Sequence, residues 1–308
     1  MASHAREPFL SVAGRELRVS NLDKVLYPQT GTTKGEVIEY LTEVAKVLLP
    51  LARWRPVTRK RWVDGVGSEE KPGKAFFRKD LENSAPDWIP RARITHQDHV
   101  NTYPLANEPA VLAWFGQLAA LEVHVPQWRF NKDLEPESPD RMVLDLDPGP
   151  GAGLGKCAEV ANLCRELLDD MDLRSYPVTS GSKGIHLYAP LDGSQSSDEV
   201  VAMAKELATR LEGEHPQLVV SDMKKSLREG KVLLDWSQNH ASKTTVCPYS
   251  LRGRLLPTVA APRTWEEIGE RGLRQLDFHE VRARAADAMD PIAPLGMNAP
   301  EHRDGTSA

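Results

Sequence analysis

Three aspartates carry the strongest chemical signal in this chain. Met142-Val143-Leu144-Asp145-Leu146-Asp147-Pro148-Gly149 reads as a buried strand with two carboxylates, closed by a Pro-Gly turn. The side-chain period of a strand is two, so Val143, Asp145 and Asp147 share one face and Met142, Leu144 and Leu146 the other. Two neighbouring acids repel each other and are costly to desolvate; a divalent cation is the usual compensation. Capping of the following turn would explain one such Asp better than two. A third acid, Asp235, sits in another apolar run, Val232 to Asn239, also read as a strand. Between them, Ser180-Gly181-Ser182-Lys183-Gly184 joins two glycines, two hydroxyls and a lysine. Its backbone N–H groups and its cation suit a phosphate cradle, although most Gly-rich turns are only hairpin turns. It lacks the Gly-Lys-Ser/Thr of a P-loop, and a strand follows it rather than a helix.

Together these groups suit nucleotidyl transfer. Carboxylates favour hard Mg²⁺ or Mn²⁺. Two such ions about 3.5–4 Å apart would lower the pKa of an attacking 3′-hydroxyl and neutralise a leaving pyrophosphate. In this scheme Asp145 and Asp147 bridge both ions, Asp235 completes the nucleophile side, and Lys183 and Ser180 meet triphosphate or ribose. The same acids would also fit a nucleotide-sugar glycosyltransferase or a metal-dependent nuclease. A DNA-end-binding module without catalysis is the non-enzyme alternative.

Residues 53–62 place five cations among aromatics with no acid, a moderate nucleic-acid signal that gains weight from Lys24, Lys34 and Phe76-Phe77-Arg78-Lys79. Adjacent Phe residues on a strand point to opposite faces, so one is expected in the core and the other half covered; alternatively, they form a stacking platform for bases. In Leu121-Glu122-Val123-His124-Val125, the Leu and Val residues face one way and Glu122 and His124 the other. A lone His is more often structural, but the polar company here admits a ligand-facing role.

The elements that must position these groups follow from pattern. Residues 8–20 suggest a hairpin. Thr33-Lys34-Gly35-Glu36 is a capping box opening a helix with Val37, Leu41, Val44 and Leu48 on one side, stopped by Pro50. Residues 64–74 form a polar Gly/Pro loop, and Pro109 starts a helix. A helix is expected from about Lys156 to Met171, another from Ser196 through about Leu211, and a last helical region after Thr264. Residues 222–231 make a basic loop, and 298–308 a polar, disordered tail. With 308 residues, 40% of them hydrophobic, residues 8–297 have material for one compact unit. The formal net charge of −5 advertises no nucleic-acid partner by itself. No apolar run spans a membrane and no signal peptide is evident, which implies a soluble intracellular protein. Cys157, Cys164 and Cys247 fit neither a disulfide framework nor a zinc cluster.

The three motifs in this order, Val-Leu-Asp-Leu-Asp-Pro-Gly, Thr-Ser-Gly-Ser-Lys-Gly-Ile-His-Leu-Tyr and Leu-Leu-Asp-Trp-Ser-Gln-Asn, resemble the polymerase domain of bacterial ligase D, from about Asn21 to Arg254. That family lies in the archaeo-eukaryotic primase superfamily. The resemblance implies an α/β (α+β), two-layer primase-polymerase fold. A mainly antiparallel catalytic sheet would be flanked by helices, with a smaller N-terminal α/β part. By position, Asp145, Asp147 and Asp235 would be the metal-binding acids and His186 the end of the second motif. Asn21, Lys24 and Lys34 would grip a 5′-phosphate across a gap or break. Phe76 and Phe77 would stack on template, His124 and Ser180 would select the ribose, and Lys183, Arg228 and Arg252 would hold triphosphate or primer. It further implies gap filling in repair, NTPs favoured over dNTPs, and two Mn²⁺ or Mg²⁺ ions. The enzyme would work as a monomer in the bacterial cytoplasm, at the nucleoid.

No Lys-x-Asp-Gly ligase nucleophile occurs in the sequence. This is similar to the stand-alone actinobacterial Prim-PolC group, and implies a separate ATP-dependent DNA ligase, in excision repair or, with Ku, at double-strand breaks. The loop 64–74 is longer than the family's usual turn and is expected to wedge into a short gap beside the template.

Overall fold

The computed structural model describes residues 9–287 and 290–297; the expected tail at 298–308 lies outside them. The chain opens with β1 (Phe9–Val12), β2 (Arg15–Arg18), β3 (Val25–Tyr27) and β4 (Thr32–Thr33), then helices α1 (Lys34–Glu43) and α2 (Ala45–Ala52). Next come β5 (Thr58–Arg61), β6 (Phe76–Arg78), β7 (Arg91–Thr95), β8 (Val100–Pro104), α3 (Pro109–Gln117) and β9 (Ala120–Val125). The middle of the chain forms β10 (Arg141–Pro148), α4 (Leu154–Asp169), β11 (Tyr176–Thr179), β12 (Ile185–Pro190) and α5 (Ser197–Glu214). It ends with β13 (Val219–Val220), β14 (Val232–Asp235), β15 (Thr245–Val246), β16 (Ala261–Pro262), α6 (Trp265–Ile268), α7 (Phe278–Ala286) and α8 (Ala293–Gly296).

Two sheets organise these elements. The acid sheet has six strands in the order β13-β14-β10-β12-β11-β16, antiparallel except for β13 against β14. The platform sheet has four, β15-β9-β5-β6, all antiparallel. Met142, Leu144 and Leu146 turn to one face of the acid sheet and pack on α4 and α5, with Cys157, Cys164, Val200 and Leu211 in the same core. On the opposite face, Val143, Val178 and Tyr188 join a larger core shared with α1, α2 and α3. The period-two reading of β10 therefore holds, and the cysteines pack as small hydrophobes. Each large side chain so buried is worth about 1.5–3 kcal/mol.

Local chemistry sets the helix ends. The capping boxes at Thr33, Ser196 and Thr264 all form, as does one at Asp277 that opens α7. Pro50 does not stop its helix. The break falls at Val44, and α2 runs on to Ala52 with Pro50 inside it. The proline costs α2 an internal hydrogen bond, offset by burial of Leu48, Leu49, Leu51 and Ala52. Likewise β14 ends at Asp235 instead of running to Asn239. The Asp235 side chain caps a single 3-10 turn, Trp236–Asn239, by accepting from the Ser237 N–H. Asn239 then replaces the lost ladder, its amide bonding both N and O of Val143 at 2.8 Å.

Candidate active site

The ladder of the acid sheet brings the three motifs together. Asp145 on β10 lies directly opposite Asp235 on β14 and directly opposite His186 on β12. Asp147 is one pleat further along the same face. His186 Nε2 is 3.3 Å from Asp145 Oδ1. Burial raises the Asp147 carboxyl above its ordinary value, and the charges of Asp145 and Asp235 add to that; His186 and Arg228 pull the other way. A face that already resists the charge of one acid is a face that attracts a cation.

Among the described residues, no three His, Cys, Asp or Glu side chains form a ready-made ion cage. Asp235 is already engaged in hydrogen bonds. Its Oδ1 accepts from Ser237 N (2.8 Å) and Oγ (2.6 Å), and its Oδ2 from Gln238 Nε2 (3.0 Å). A carboxylate has about four acceptor directions, so about one remains for an ion. The donor set of three strand-borne carboxylates still fits a hard divalent cation, with Asp145 and Asp147 aimed from the same strand face.

The turn at Ser180 is tighter than a cradle. Its amides are used internally: Ser180 N donates to Gly184 O, Gly181 N to Gln275 Oε1, and Ser182 N and Gly184 N to Ser180 Oγ. The backbone-cradle expectation is thus corrected for these four amides, while the Ser180 hydroxyl, which only accepts in the turn, keeps its own proton to donate. What the turn offers an anion is the side chain of Lys183, which is exposed. Gly184 cannot carry a side chain, since a Cβ there would lie 1.9 Å from the Leu146 carbonyl oxygen of the acid strand. A Cβ on Gly149 would lie 1.8 Å from Arg228 O, so the turn after Asp147 and the Arg228 loop are also in direct contact.

On the platform sheet, Phe77, Lys60 and Glu122 stand in line across β6, β5 and β9. Phe76 and Phe77 are 40% and 58% exposed, so neither serves the core, against the expectation that one would. Each has a cation over its ring, Arg61 on Phe76 at 5.3 Å and Lys60 on Phe77 at 5.1 Å. Phe77 also meets His124 edge to face, with centroids 5.5 Å apart. Sequence reasoning passed over Glu122, which turns out to be a hub. His124 Nε2 is 2.8 Å from its Oε2, and Arg252 Nε and Gly253 N reach its Oε1 at 3.3 and 3.1 Å. Arg252 continues to the Ser180 carbonyl, joining the platform to the second motif. The only sequence signal for this hub was the polar side that Glu122 shares with His124.

The third group gathers at the start of α1. Lys34 N donates to Lys24 O, and Gly35 N to Leu22 O, which wraps residues 21–24 over the helix start. Asn21 adopts a left-handed backbone, φ 52°. Lys34 is buried; burial, then the charge of Lys24, lowers its pKa. Lys24 Nζ pairs with Asp64 Oδ1 at 3.0 Å. Asp64 begins the Gly/Pro loop, whose base is tied down by Val66 N to Leu26 O and Gly73 N to Val66 O.

Residues 33–292 match the primase-polymerase domain family of LigD. The chain belongs to that family. It is 51% identical over 296 residues to the multifunctional non-homologous end joining protein LigD of Mycolicibacterium smegmatis, covering 96% of this chain and 38% of that protein. To the bifunctional LigD of Bacillus subtilis it is 33% identical over 254 residues, 82% of this chain and 39% of the relative. The chain thus spans less than half the length of these relatives. The polymerase domain of Mycobacterium tuberculosis ligase D, solved in complex with DNA, superposes with a TM-score of 0.88 at 52% identity, covering 92% of this chain and 99% of that one. The resemblance read from the three motifs is therefore correct, and so is the mixed fold with its antiparallel acid sheet. Among the described residues no helix is long and apolar enough to cross a membrane.

Proposed function

We propose that residues 8–297 form one catalytic unit, a template-dependent nucleotidyltransferase that fills short DNA gaps with a preference for ribonucleotides. The observation that carries this reading is the alignment of Asp235, Asp145 and His186 across three neighbouring strands, with Arg252 joining the second motif to Glu122 on the sheet that presents Phe77, Lys60 and His124. Asp145, Asp147 and Asp235 would hold Mn²⁺ or Mg²⁺, two ions in all, which when bound supply charge neutralisation for triphosphate and primer hydroxyl. The residues of the chain do the rest. Lys183, His186, Arg228 and Arg252 orient the triphosphate. His124 and Ser180 read the ribose 2′-hydroxyl, the group that tells NTP from dNTP. Phe76 and Phe77 stack on template bases, and Asn21, Lys24 and Lys34 hold a downstream 5′-phosphate.

The enzyme would act as a monomer at the bacterial nucleoid, beside a DNA ligase. End joining at double-strand breaks, with Ku, is the second reading, favoured by the names its LigD relatives carry. One experiment addresses these readings. A labelled gapped duplex with a 5′-phosphate or a 5′-hydroxyl is offered Mn²⁺ with NTPs or dNTPs, beside paired broken ends with and without Ku. Short extension that favours NTPs and the 5′-phosphate on the gap is the expected result. Extension only on broken ends moves the assignment to end joining. A shifted but unextended band leaves a binding module and overturns the polymerase.

A further inference from the structure

Glu122 is 2% exposed, yet it answers to a group on its own strand and to groups from two other segments of the chain. Its Oε2 meets His124 Nε2 at 2.8 Å and Lys60 Nζ at 3.8 Å; its Oε1 accepts from Arg252 Nε at 3.3 Å and from Gly253 N at 3.1 Å. Burial alone would raise this carboxyl. The hydrogen bond to His124 and the charges of Arg252, His124 and Lys60 outweigh it and hold Glu122 well below the usual carboxylate range. An ionised carboxylate can only accept, so the proton of the shared bond sits on His124 Nε2. Burial, working against the pull of Glu122, lowers the pKa of the ring and favours its neutral form. In a neutral ring with its proton on Nε2, Nδ1 carries a bare lone pair.

We propose that Glu122 is the positioning residue for ribose selection: it fixes the His124 tautomer that presents an acceptor to the sugar 2′-hydroxyl. A ribose hydroxyl can donate to that nitrogen; the 2′-hydrogen of a deoxyribose cannot. The opposite tautomer would present an N–H in its place. Through Arg252, the same carboxylate holds the Ser180 carbonyl, so both sugar-reading residues take their positions from one group. This inference rests on the nucleotidyltransferase reading above and adds to it a residue that touches neither sugar nor metal.

Glu122→Gln keeps the shape but can donate as well as accept, so it admits both tautomers of His124. The test compares wild type and Glu122→Gln in single-nucleotide incorporation, separating kcat from KM for an NTP and the matching dNTP. It also reads the His124 tautomer from the ring ¹⁵N shifts of the folded proteins. The expected result is a proton on Nε2 alone in the wild type and a mixture in the variant. The NTP-over-dNTP ratio should fall about 2–10-fold, through the KM for NTP, the worth of one hydrogen bond. Glu122→Asp, which stays ionised, should restore part of the ratio. Equal losses for both nucleotides, or an unchanged ratio beside a changed tautomer, would overturn the role of Glu122. A wild type that incorporates neither nucleotide overturns the polymerase reading instead, which keeps the two failures apart.

Discussion

Asp145 and Asp235 face each other across adjacent antiparallel strands, although 90 positions separate them in sequence. Antiparallel ladders place such pairs about 4.5–5.5 Å apart at Cβ, too close for two uncompensated charges and suitable for a shared ion. Asp145→Asn and Asp235→Asn should each reduce nucleotide incorporation by roughly a hundredfold or more, the usual cost of removing one electrostatic stabiliser. Fluorescence anisotropy with gapped DNA should show binding close to wild type. Retained incorporation in either variant would refute the metal role.

Metal binding has a readout independent of turnover. A ligand that binds only the folded state stabilises it by about 2.7 kcal/mol at a hundred times its Kd. Mn²⁺ should therefore raise the Tm of the wild type in a calorimetric scan. Asp147→Asn removes a carboxylate that burial and its acidic neighbours disfavour. It should raise the metal-free Tm while shrinking the Mn²⁺ response. A full response in Asp147→Asn would take that residue out of the metal set.

Lys24 is already partnered in the absence of DNA, by Asp64 from the Gly/Pro loop. A 5′-phosphate would have to displace Asp64 to reach it. Lys24→Ala should lower the preference for a 5′-phosphate and flatten the salt dependence by about 0.9 in log–log slope, one phosphate contact. Asp64→Asn should tighten binding to phosphorylated ends. Removing the loop tip, residues 68–71, should change the preferred gap length while keeping the ties of Val66 to Leu26 and of Gly73 to Val66; an unchanged preference would exclude the wedge role. Binding isotherms at several salt concentrations, with extension on graded gaps, measure all three.

Phe77 shares its face with Lys60 and His124, whereas Phe76 lies against Arg61. Because both rings are exposed, Phe77→Ala should leave stability within about 0.5 kcal/mol. It should cost about 1–3 kcal/mol in affinity for a duplex with a single-stranded template extension. Chemical denaturation and DNA titration together check this, and a variant that loses stability but not affinity would return Phe77 to a structural role.

Asp140 anchors the start of the acid strand. Arg55 Nη2 reaches its two oxygens at 2.6 and 2.7 Å, and Arg129 pairs with it as well. Burial would raise this carboxyl, but Arg55, Arg129 and Arg141 hold it below its ordinary value. A depressed carboxylate contributes stability that is present above its unfolded pKa, about 3.9, and lost as pH falls through the folded value. Asp140→Asn should cost about 3–5 kcal/mol near neutrality, because two buried guanidinium groups lose their counter-charge. The difference from wild type should narrow in acid, where both residues are neutral. Urea titrations across that range would expose a pH-independent cost, which would contradict the ion-pair account.

The local parts of this protein were readable because local rules produce them. The face assignment of Asp145 and Asp147 needs only the period of a strand, and the capping boxes at Thr33, Ser196 and Thr264 need only residues three apart. Pro50 misled because a proline usually closes a helix, yet the break had already come at Val44. The end of β14 was missed because Asp235 was read only for its charge, while its oxygens also accept from Ser237 and Gln238. The Glu122 hub was out of reach because Arg252 lies 130 residues away and no periodicity connects them. The hairpin of β7 and β8 gave no motif at all, although its ladder pairs residues close together in the chain.

Gly184 sets a dimension as well as a turn. Its bare Cα lies against the carbonyl of Leu146, so the second motif and the acid strand approach as closely as two backbones can. Side chains on either segment can change without altering that spacing, because no side chain lies between them there. The gauge between the Ser180–Gly184 turn and the strand of Asp145 and Asp147 is thus written in main-chain atoms. On the function proposed above, substitutions around it would tune substrate preference while leaving the reach from turn to acid strand constant.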